Sequence, residues 1–255
     1  MVDLEIKALL DEKLQEFNRP DFIAADPVCI PRRYIQKEDI EIAGLLAATI
    51  SWGRRDLIVR AAGRMMELMW DAPFDFVMNA KPKDLKGLDA FVYRTFQGLD
   101  LQSMVLGIRQ IYQLEGGLEN VMRLGSESTD TAEGIVRYRS AMLATPGFAP
   151  RTAKHIADPS AGSSAKRLNM YLRWMVRKDG AGVDFGIWNS LRPDQLICPL
   201  DVHTGNVGRK LGLLTRSQSD WKAALELTAS LRKFDPVDPV KYDFSLFGLG
   251  IFEGF

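Results

Sequence analysis

Residues 157–177 read ADPSAGSSAKRLNMYLRWMVR, a turn of small residues that leads directly into an apolar helix. Gly162 is a turn residue, and the apolar residues after Lys166 recur at helical spacing. A helix that starts at a tight turn has backbone N–H groups without partners inside the helix, next to the positive end of the helix dipole. Gly162, Ser163 and Ser164 are therefore candidates for holding a phosphate, because small side chains let a nucleic-acid backbone approach closely.

Outside this stretch the same helical spacing of apolar residues recurs along nearly the whole chain. The pattern predicts helices over 2–17 and 99–114, and a buried helix that follows Asp39 as its N-cap. The sequence has neither convincing strand alternation nor a glycine-rich nucleotide loop. We therefore expect an all-α fold.

The distribution of charge along the sequence is compatible with a nucleic-acid partner but does not require one. The net charge is zero, but the stretch from Pro146 to Lys178 has seven basic residues and one acid. A second basic group lies between Arg54 and Arg64. Basic clusters of this kind fit a DNA-binding surface, and solvated helix faces explain them equally well.

Other features of the sequence restrict the cofactors and the cellular compartment that we expect. Two cysteines, Cys29 and Cys198, are too few for a four-cysteine iron–sulfur cluster, so we expect no cluster, metal or other cofactor. No apolar run approaches the roughly 20 residues of a membrane helix. The first residues also lack the apolar block of a signal peptide. We expect a cytoplasmic protein without a membrane segment.

Lys166 and Asp201 are the candidate catalytic residues. Lys166 lies in the first turn of its helix, where the dipole disfavours a cation and an uncharged amine suits attack on an electrophilic carbon. Judged on residue type alone, a solvated lysine that reaches past the helix end is the more common interpretation. Asp201, in the segment PLDVH, is placed as a helix N-cap and can also stabilise a developing positive charge on a sugar. His203 can bind phosphate or cap the same turn.

Both segments resemble the helix-hairpin-helix DNA glycosylase superfamily. The stretch SAGSSAKRLN is similar to its hairpin pattern L-P-G-V-G-x-K-T-A-N, and PLDVHTGNVGRKLGL is similar to its V-D-T-H-V-x-R-V-x-x-R-L-G-L. The match places Lys166 on the family's nucleophilic lysine and Asp201 on its essential aspartate. His203 falls on the family's histidine, and Ser164 stands where the pattern has its second glycine.

The order of further segments agrees with this resemblance, which covers roughly residues 39–250. The stretch DIEIAGLLAATISWG resembles the family's buried helix and the loop that probes DNA. That places Ser51, Trp52 and Arg54 where the family inserts a side chain into the gap left by a flipped base. Trp52, and equally Trp174 and Trp188, are open to interpretation either as core residues or as contacts to a base.

The interval of 35 residues between Lys166 and Asp201 (201 − 166) is longer than in most of the superfamily. It is similar to that of the archaeal-type 8-oxoguanine DNA glycosylases, which also lack the iron–sulfur cluster. The signatures PLDVH and YDFSLFGLG also resemble those of an uncharacterised bacterial family within the superfamily.

The resemblance implies a two-lobed fold and a function in DNA base-excision repair. One lobe spans 39–175 and ends in the hairpin and the Lys166 helix; the other combines 1–38 with 176–255 and carries Asp201. The implied activity is a DNA N-glycosylase with associated AP lyase chemistry, acting on double-stranded DNA with a damaged base, in a nucleoid-associated protein. Two alternatives stay open, a non-catalytic nucleic-acid-binding protein and an all-α protein-interaction scaffold.

Overall fold

The computed structural model of the chain describes residues 3–178 and 180–255, apart from the side chain of Phe22. These residues are mostly helical, which confirms the all-α class. The α-helices of the described residues are α1 (Asp3–Phe17), α2 (Lys37–Thr49), α3 (Arg55–Leu68), α4 (Pro73–Asn79), α5 (Pro82–Gly87), α6 (Gly98–Glu115), α7 (Leu118–Met122), α8 (Ala132–Leu143), α9 (Lys166–Val176), α10 (Val202–Lys210), α11 (Trp221–Arg232) and α12 (Asp243–Phe252). None of these helices combines the length and apolar character needed to cross a membrane.

The sequence reasoning missed one small sheet. Two antiparallel strands, β1 (Val92–Tyr93) and β2 (Phe96–Gln97), pair with Val92 opposite Gln97. With two residues in each strand, they are too short to produce an alternating pattern that can be recognised in the sequence.

The chain divides into two compact units. Unit 1 contains the residues up to Ile23, then Ser126–Ala132 and Asp158–Phe255; unit 2 contains Ala24–Gly125 and Glu133–Ala157. Three residues lie outside the described part of the chain: Met1, Val2 and Asp179. The expected lobes included all three, and the predicted helix over 2–17 included Val2.

The unit boundaries differ from the expected lobes, because α9 belongs with α1 and α10–α12 rather than with α2–α7. The segment after α9 turns back onto the end of that helix. The backbone N–H of Phe185 donates to the carbonyl of Trp174 at 2.8 Å, and that of Trp188 donates to the carbonyl of Met175 at 2.9 Å. These bonds tie the segment between α9 and α10 to unit 1.

Helix α2 runs through the core of unit 2, and nearly all its residues are buried, as its apolar composition predicts. The predicted cap is wrong. The helix begins one turn earlier, with Gln36 at the N-cap position, and Asp39 lies in its first turn. The Asp39 carboxylate instead accepts from the backbone N–H of Phe74 at 2.8 Å, so it ties α4 to α2.

In unit 1, α12 packs against both α10 and α1. The Tyr242 hydroxyl, just before α12, donates to Asp11 at 2.8 Å, and the Ser245 hydroxyl donates to the Leu10 carbonyl at 2.7 Å. Gly248 lets the Phe17 ring approach the α12 backbone, because a Cβ at this position would lie 2.0 Å from that ring. This packing fixes α12 beside the candidate residues described next.

Candidate active site

The small-residue turn before α9 is a hairpin closed by its own hydrogen bonds. The Asp158 carboxylate accepts from the backbone N–H of Ser160 at 3.0 Å. The N–H of Gly162 donates to the Pro159 carbonyl at 2.9 Å, and the N–H of Ser163 donates to the Asp158 carbonyl at 3.0 Å. Gly162 has φ +90°, a conformation that favours glycine, and the space where a Cβ would project is open.

These bonds change which hairpin groups are suited to hold a phosphate. The N–H groups of Gly162 and Ser163 are engaged inside the turn, although both residues are exposed. The first N–H groups of α9, from Lys166 onward, have no partner within the helix. An anion at this hairpin would therefore be bound by the serine hydroxyls and the first turn of α9 rather than by the turn amides of Gly162 and Ser163.

The non-glycine residue of the hairpin with a left-handed backbone is Ala165, the N-cap of α9, with φ +49° and ψ +32°. Ser164, which replaces the second glycine of the superfamily pattern, is not among the residues with positive φ. Asn169 holds this corner, because its side-chain amide donates to the Ser164 carbonyl at 3.0 Å and its carbonyl oxygen accepts from the Thr131 hydroxyl at 3.4 Å. The strained residue is thus buttressed by a buried side chain.

Lys166 and Asp201 come together in unit 1. The Lys166 amine lies 3.6 Å from the Asp201 carboxylate, and their side chains are 28% and 19% exposed. Lys166 is the first residue of α9 and Asp201 is the N-cap of α10, so the starts of the two helices meet here. A partly exposed amine beside a carboxylate is an arrangement that can attack an electrophilic carbon and stabilise the resulting charge.

Asp201 is also confirmed as a helix cap. Its carboxylate accepts from the backbone N–H of Thr204 at 2.9 Å. His203 is exposed in the first turn of α10. It also meets α12, because a Cβ at Gly250 would lie 2.9 Å from the His203 Cβ.

An ion-pair network that the sequence reasoning missed lies in the interior of unit 1. Arg173 and Arg177, one turn apart at the end of α9, are both buried. Arg173 pairs with Asp243 and, at 3.3 Å, with Asp184. Arg177 pairs with Asp184 at 3.0 Å and with Asp238 at 2.8 Å. Two of the seven basic residues counted between Pro146 and Lys178 are therefore core residues rather than surface charges.

Asp243 connects this network to the candidate pair. Burial raises the pKa of the Asp243 carboxyl to about 6; Arg173 and Lys166 oppose this shift, while Asp201 and Asp184 add to it. A signal for Asp243 was present in the sequence, since YDFSLFGLG places one acid in an otherwise apolar helix.

Cys198 lies near the same charges. It is fully buried, and burial raises the pKa of its thiol, with Asp243 and Asp201 adding to the effect. A buried thiol of raised pKa is a poor nucleophile. Within 3–178 and 180–255, no group of three or more His, Cys, Asp or Glu side chains is placed to hold a metal ion.

The three residues expected to probe DNA lie in unit 2, at the end of α2 and before α3. Ser51 is buried, and its hydroxyl donates to the Ala47 carbonyl at 2.7 Å, which closes the end of α2. Arg54 is 74% exposed in its side chain and pairs with Asp56 at 2.9 Å. Of these residues, Arg54 is accessible to a partner and Ser51 serves the fold.

Trp52 is partly buried and is held by its neighbours. Its ring stacks on the His155 imidazole with centroids 5.8 Å apart and planes 16° from parallel, and it meets Tyr93 edge-on. The Tyr93 hydroxyl also donates to the Trp52 carbonyl at 2.7 Å. Trp52 is therefore fixed on one face. Trp174 and Trp188, by contrast, are buried core residues of unit 1.

The basic residues of α3 are largely neutralised locally. Asp56 pairs with both Arg54 and Arg60, and Glu67 pairs with Arg64 at 2.8 Å. All these side chains are exposed, so each pair contributes little to stability. The pairs can open to release arginines to a polyanion.

The comparison with protein families covers almost the whole chain. Residues 26–252 match a family described as "Protein of unknown function (DUF2400)". The chain belongs to the DUF2400 family. No curated protein and no solved structure matches it.

The DUF2400 match includes every candidate residue discussed above and ends at the last residue of α12. Of the elements of unit 1, it leaves out α1, which precedes residue 26. The hairpin, the Lys166–Asp201 pair and the buried network therefore all lie within the part of the chain that defines this family.

Proposed function

We propose that this chain is a DNA glycosylase of base-excision repair with associated AP lyase activity, in which Lys166 is the nucleophile. The observation that supports the proposal is the distance of 3.6 Å between the Lys166 amine and the Asp201 carboxylate, two residues that lie 35 positions apart in the sequence. The two-lobed helix-hairpin-helix glycosylase fold is part of the same proposal.

The reaction uses one covalent intermediate. The uncharged Lys166 nitrogen attacks the sugar C1′ of a nucleotide that is extruded from the duplex, the bond from C1′ to the base breaks, and the base leaves with the bonding electrons and takes up a proton. The sugar ring then opens: the bond from C1′ to the ring oxygen breaks, that oxygen takes up the remaining proton of the lysine nitrogen, and a double bond forms between C1′ and the nitrogen, which is the Schiff base. In the β-elimination that follows, a base removes a proton from C2′, a double bond forms between C2′ and C3′, and the C3′–O bond breaks so that the 3′ phosphate leaves with the bonding electrons.

Asp201 stabilises the positive charge that develops on the sugar as the base departs. Its position supports this role, because its carboxylate is fixed by the Thr204 N–H and held beside the Lys166 amine. The hydroxyls of Ser163 and Ser164 and the first N–H groups of α9, together with His203, contact backbone phosphates, and Gly162 lets the backbone approach because it has no side chain. In unit 2, Trp52 and Arg54 contact DNA, whereas Ser51 shapes the loop that carries them.

Borohydride trapping tests the proposal. Sodium borohydride reduces a Schiff base to a stable amine, so duplexes with an abasic site or with one of a panel of damaged bases should become covalently attached to the protein. Lys166→Gln should abolish the adduct. On the duplexes with a damaged base, Asp201→Asn should lower the adduct yield by about 100-fold, because the charge on the sugar is no longer stabilised as the base departs. The variant should keep the cap of α10, because asparagine caps helices as well as aspartate does. Lys210→Gln, which changes an exposed lysine of the same unit, is the matched control.

A second candidate function is non-catalytic binding to DNA. It is favoured by the fact that Lys166 and Asp201 form an ion pair and that Asp201 caps α10, since these contacts give both residues structural roles. This candidate predicts DNA affinity that falls as salt concentration rises, and no adduct on any duplex. Absence of both salt-dependent affinity and an adduct would favour the protein-interaction scaffold.

A further inference from the structure

An arginine of unit 2 that the sequence reasoning did not single out lies against the loop between α2 and α3. Arg94 is in the turn that joins β1 to β2. A Cβ built on Gly53 would lie 2.7, 2.8 and 2.9 Å from the Nη2, Cζ and Nε atoms of Arg94. Because these three distances are nearly equal, the flat guanidinium group covers the Gly53 backbone. A side chain at position 53 would push the guanidinium away, and the φ of Gly53, +100°, also favours glycine.

The residues on both sides of Arg94 are anchored. The Tyr93 hydroxyl donates to the Trp52 carbonyl at 2.7 Å, and the two rings meet edge-on with centroids 5.5 Å apart. The Arg151 guanidinium donates to the Thr95 carbonyl at 3.2 Å and pairs with the buried carboxylate of Asp100 at 3.2 Å. The turn is therefore fixed against the loop, and Arg94 keeps a φ of +51°, which residues with a Cβ seldom adopt.

Arg94 also differs from the neighbouring arginines in its charge balance. Arg54 pairs with Asp56, and Arg151 pairs with Asp100. In the part of the chain that the structure describes, neither an ion pair nor a side-chain hydrogen bond holds the Arg94 guanidinium, and the residue is exposed. An anion that binds Arg54 must displace a carboxylate, whereas an anion that binds Arg94 displaces only water. The surface around Gly53 thus has one positive charge in excess.

We propose that Arg94 binds a backbone phosphate of DNA, so that the β1–β2 hairpin is a DNA-binding element of unit 2 beside Trp52 and Arg54. One face of the guanidinium lies on Gly53, which leaves the N–H groups at its edge for the oxygens of a phosphate. A group that lies flat on an exposed loop projects little, so it meets the phosphates on the outside of a duplex rather than the base edges inside a groove. The choice of DNA as the partner rests on the proposed function above.

The salt dependence of DNA binding tests the contact. Fluorescence anisotropy measures the affinity for a duplex with a tetrahydrofuran abasic analogue over a range of salt concentrations. Arg94→Gln should reduce the slope of log affinity against log salt by about one, and Arg94→Lys should keep the slope because it keeps the charge. Arg123→Gln is the matched control and should keep the wild-type slope. It removes an exposed arginine of the same unit that follows α7, beyond the end of α6, whereas Arg94 precedes the start of α6. An unchanged slope in Arg94→Gln, or an equal reduction in Arg94→Lys, would overturn the proposal.

A contact to a base edge is distinguished with four duplexes that differ only in the base opposite the abasic analogue. A phosphate contact carries no sequence information, so Arg94→Gln should lower the affinity for all four duplexes by the same factor. A loss confined to one opposite base would show that Arg94 reads a base edge, and would overturn the assignment to a phosphate.

The contribution of Gly53 is measured with a double-mutant cycle. In Gly53→Ala the guanidinium must move, because the new methyl group would occupy its place. Arg94→Gln should therefore cost a smaller factor in affinity in the Gly53→Ala background than in wild type. Equal factors in the two backgrounds would refute the role of Gly53 in placing Arg94.

Borohydride trapping on the same proteins separates this proposal from the proposed function. If wild-type protein binds DNA with a slope that depends on Arg94 but forms no adduct, the glycosylase function fails and the role of Arg94 stands. If the adduct forms while Arg94→Gln leaves the slope unchanged, the glycosylase function stands and the role of Arg94 fails. Wild-type protein without salt-dependent affinity for DNA would overturn both.

Discussion

Replacing Arg173 with methionine removes the guanidinium that joins Asp243 to Asp184, while the aliphatic part of the side chain is kept. Both carboxyls are buried, and Asp184 still has Arg177 at 3.0 Å, but Asp243 loses its paired cation. Breaking a buried ion pair by removing one partner costs about 3 to 5 kcal/mol. We expect the lower end of this range, because Asp243 can escape the penalty by taking up a proton.

The pKa of Asp243 determines how the loss depends on pH. Its value in the folded chain, about 6, lies above the ordinary value of 3.8, so the wild-type chain gains stability from the protonated group at low pH and loses that contribution as pH rises from about 4 to 6. Arg173 holds this pKa down, so in the variant it is higher, and the contribution continues to fall beyond pH 7. One pKa unit corresponds to about 1.4 kcal/mol, so the variant's deficit should be larger at pH 7 than at pH 5 by roughly that amount.

Urea denaturation followed by circular dichroism at pH 5 and pH 7 measures both quantities. Arg64→Met is the control, because Arg64 is exposed and pairs with the exposed Glu67, and its replacement should change the free energy of unfolding by less than about 0.5 kcal/mol. A deficit in Arg173→Met below about 1 kcal/mol would refute the burial argument. An equal deficit at the two pH values would refute the raised pKa of Asp243.

Asp201→Ala should lower the free energy of unfolding by about 1 kcal/mol through loss of the α10 cap, and Asp201→Asn by less than about 0.5 kcal/mol; a large loss in the asparagine variant, measured by urea denaturation, would contradict a capping role. Ala165→Gly should leave the free energy of unfolding nearly unchanged. Relief of the left-handed backbone stabilises the fold by about 1 kcal/mol, and loss of the buried methyl destabilises it by about 0.8 kcal/mol. The same replacement at Ala47, inside α2, should cost about 2 kcal/mol, so equal losses at the two positions would rule out strain at Ala165. Arg54→Ala should reduce the slope of log affinity for DNA against log salt by about one, and a slope equal to that of wild type would remove Arg54 from the phosphate contacts.

The helices could be predicted because their signals are local. The apolar spacing in 157–177 locates α9, and Gly116, with φ +75°, ends α6 where the sequence predicts an end. The prediction that Asp39 caps α2 was wrong because it rested on residue type alone. An aspartate in the first turn serves equally well as a partner for the backbone of another helix, and here Asp39 holds Phe74.

The candidate pair was also predictable, but its surroundings were not. Lys166 and Asp201 each lie at a helix start, which short motifs identify. Arg173 and Arg177 were counted as surface charges because an arginine's partners, here Asp184 and Asp243, are brought together only by tertiary packing. Their spacing of four residues on an apolar helix is the signal that should have suggested burial in a paired network.

Lys166 occupies a position where stability alone gives little reason for a lysine. It is the first residue of α9, where the helix dipole opposes a cation by up to about 1 kcal/mol, and Arg167 follows it directly. Its partly exposed ion pair with Asp201 is worth no more than about 1 kcal/mol. These two contributions nearly cancel, so neither accounts for the choice of residue. The proposed function accounts for this residue, because it requires at this position an amine that lies beside a fixed carboxylate and is only weakly held in its ion pair.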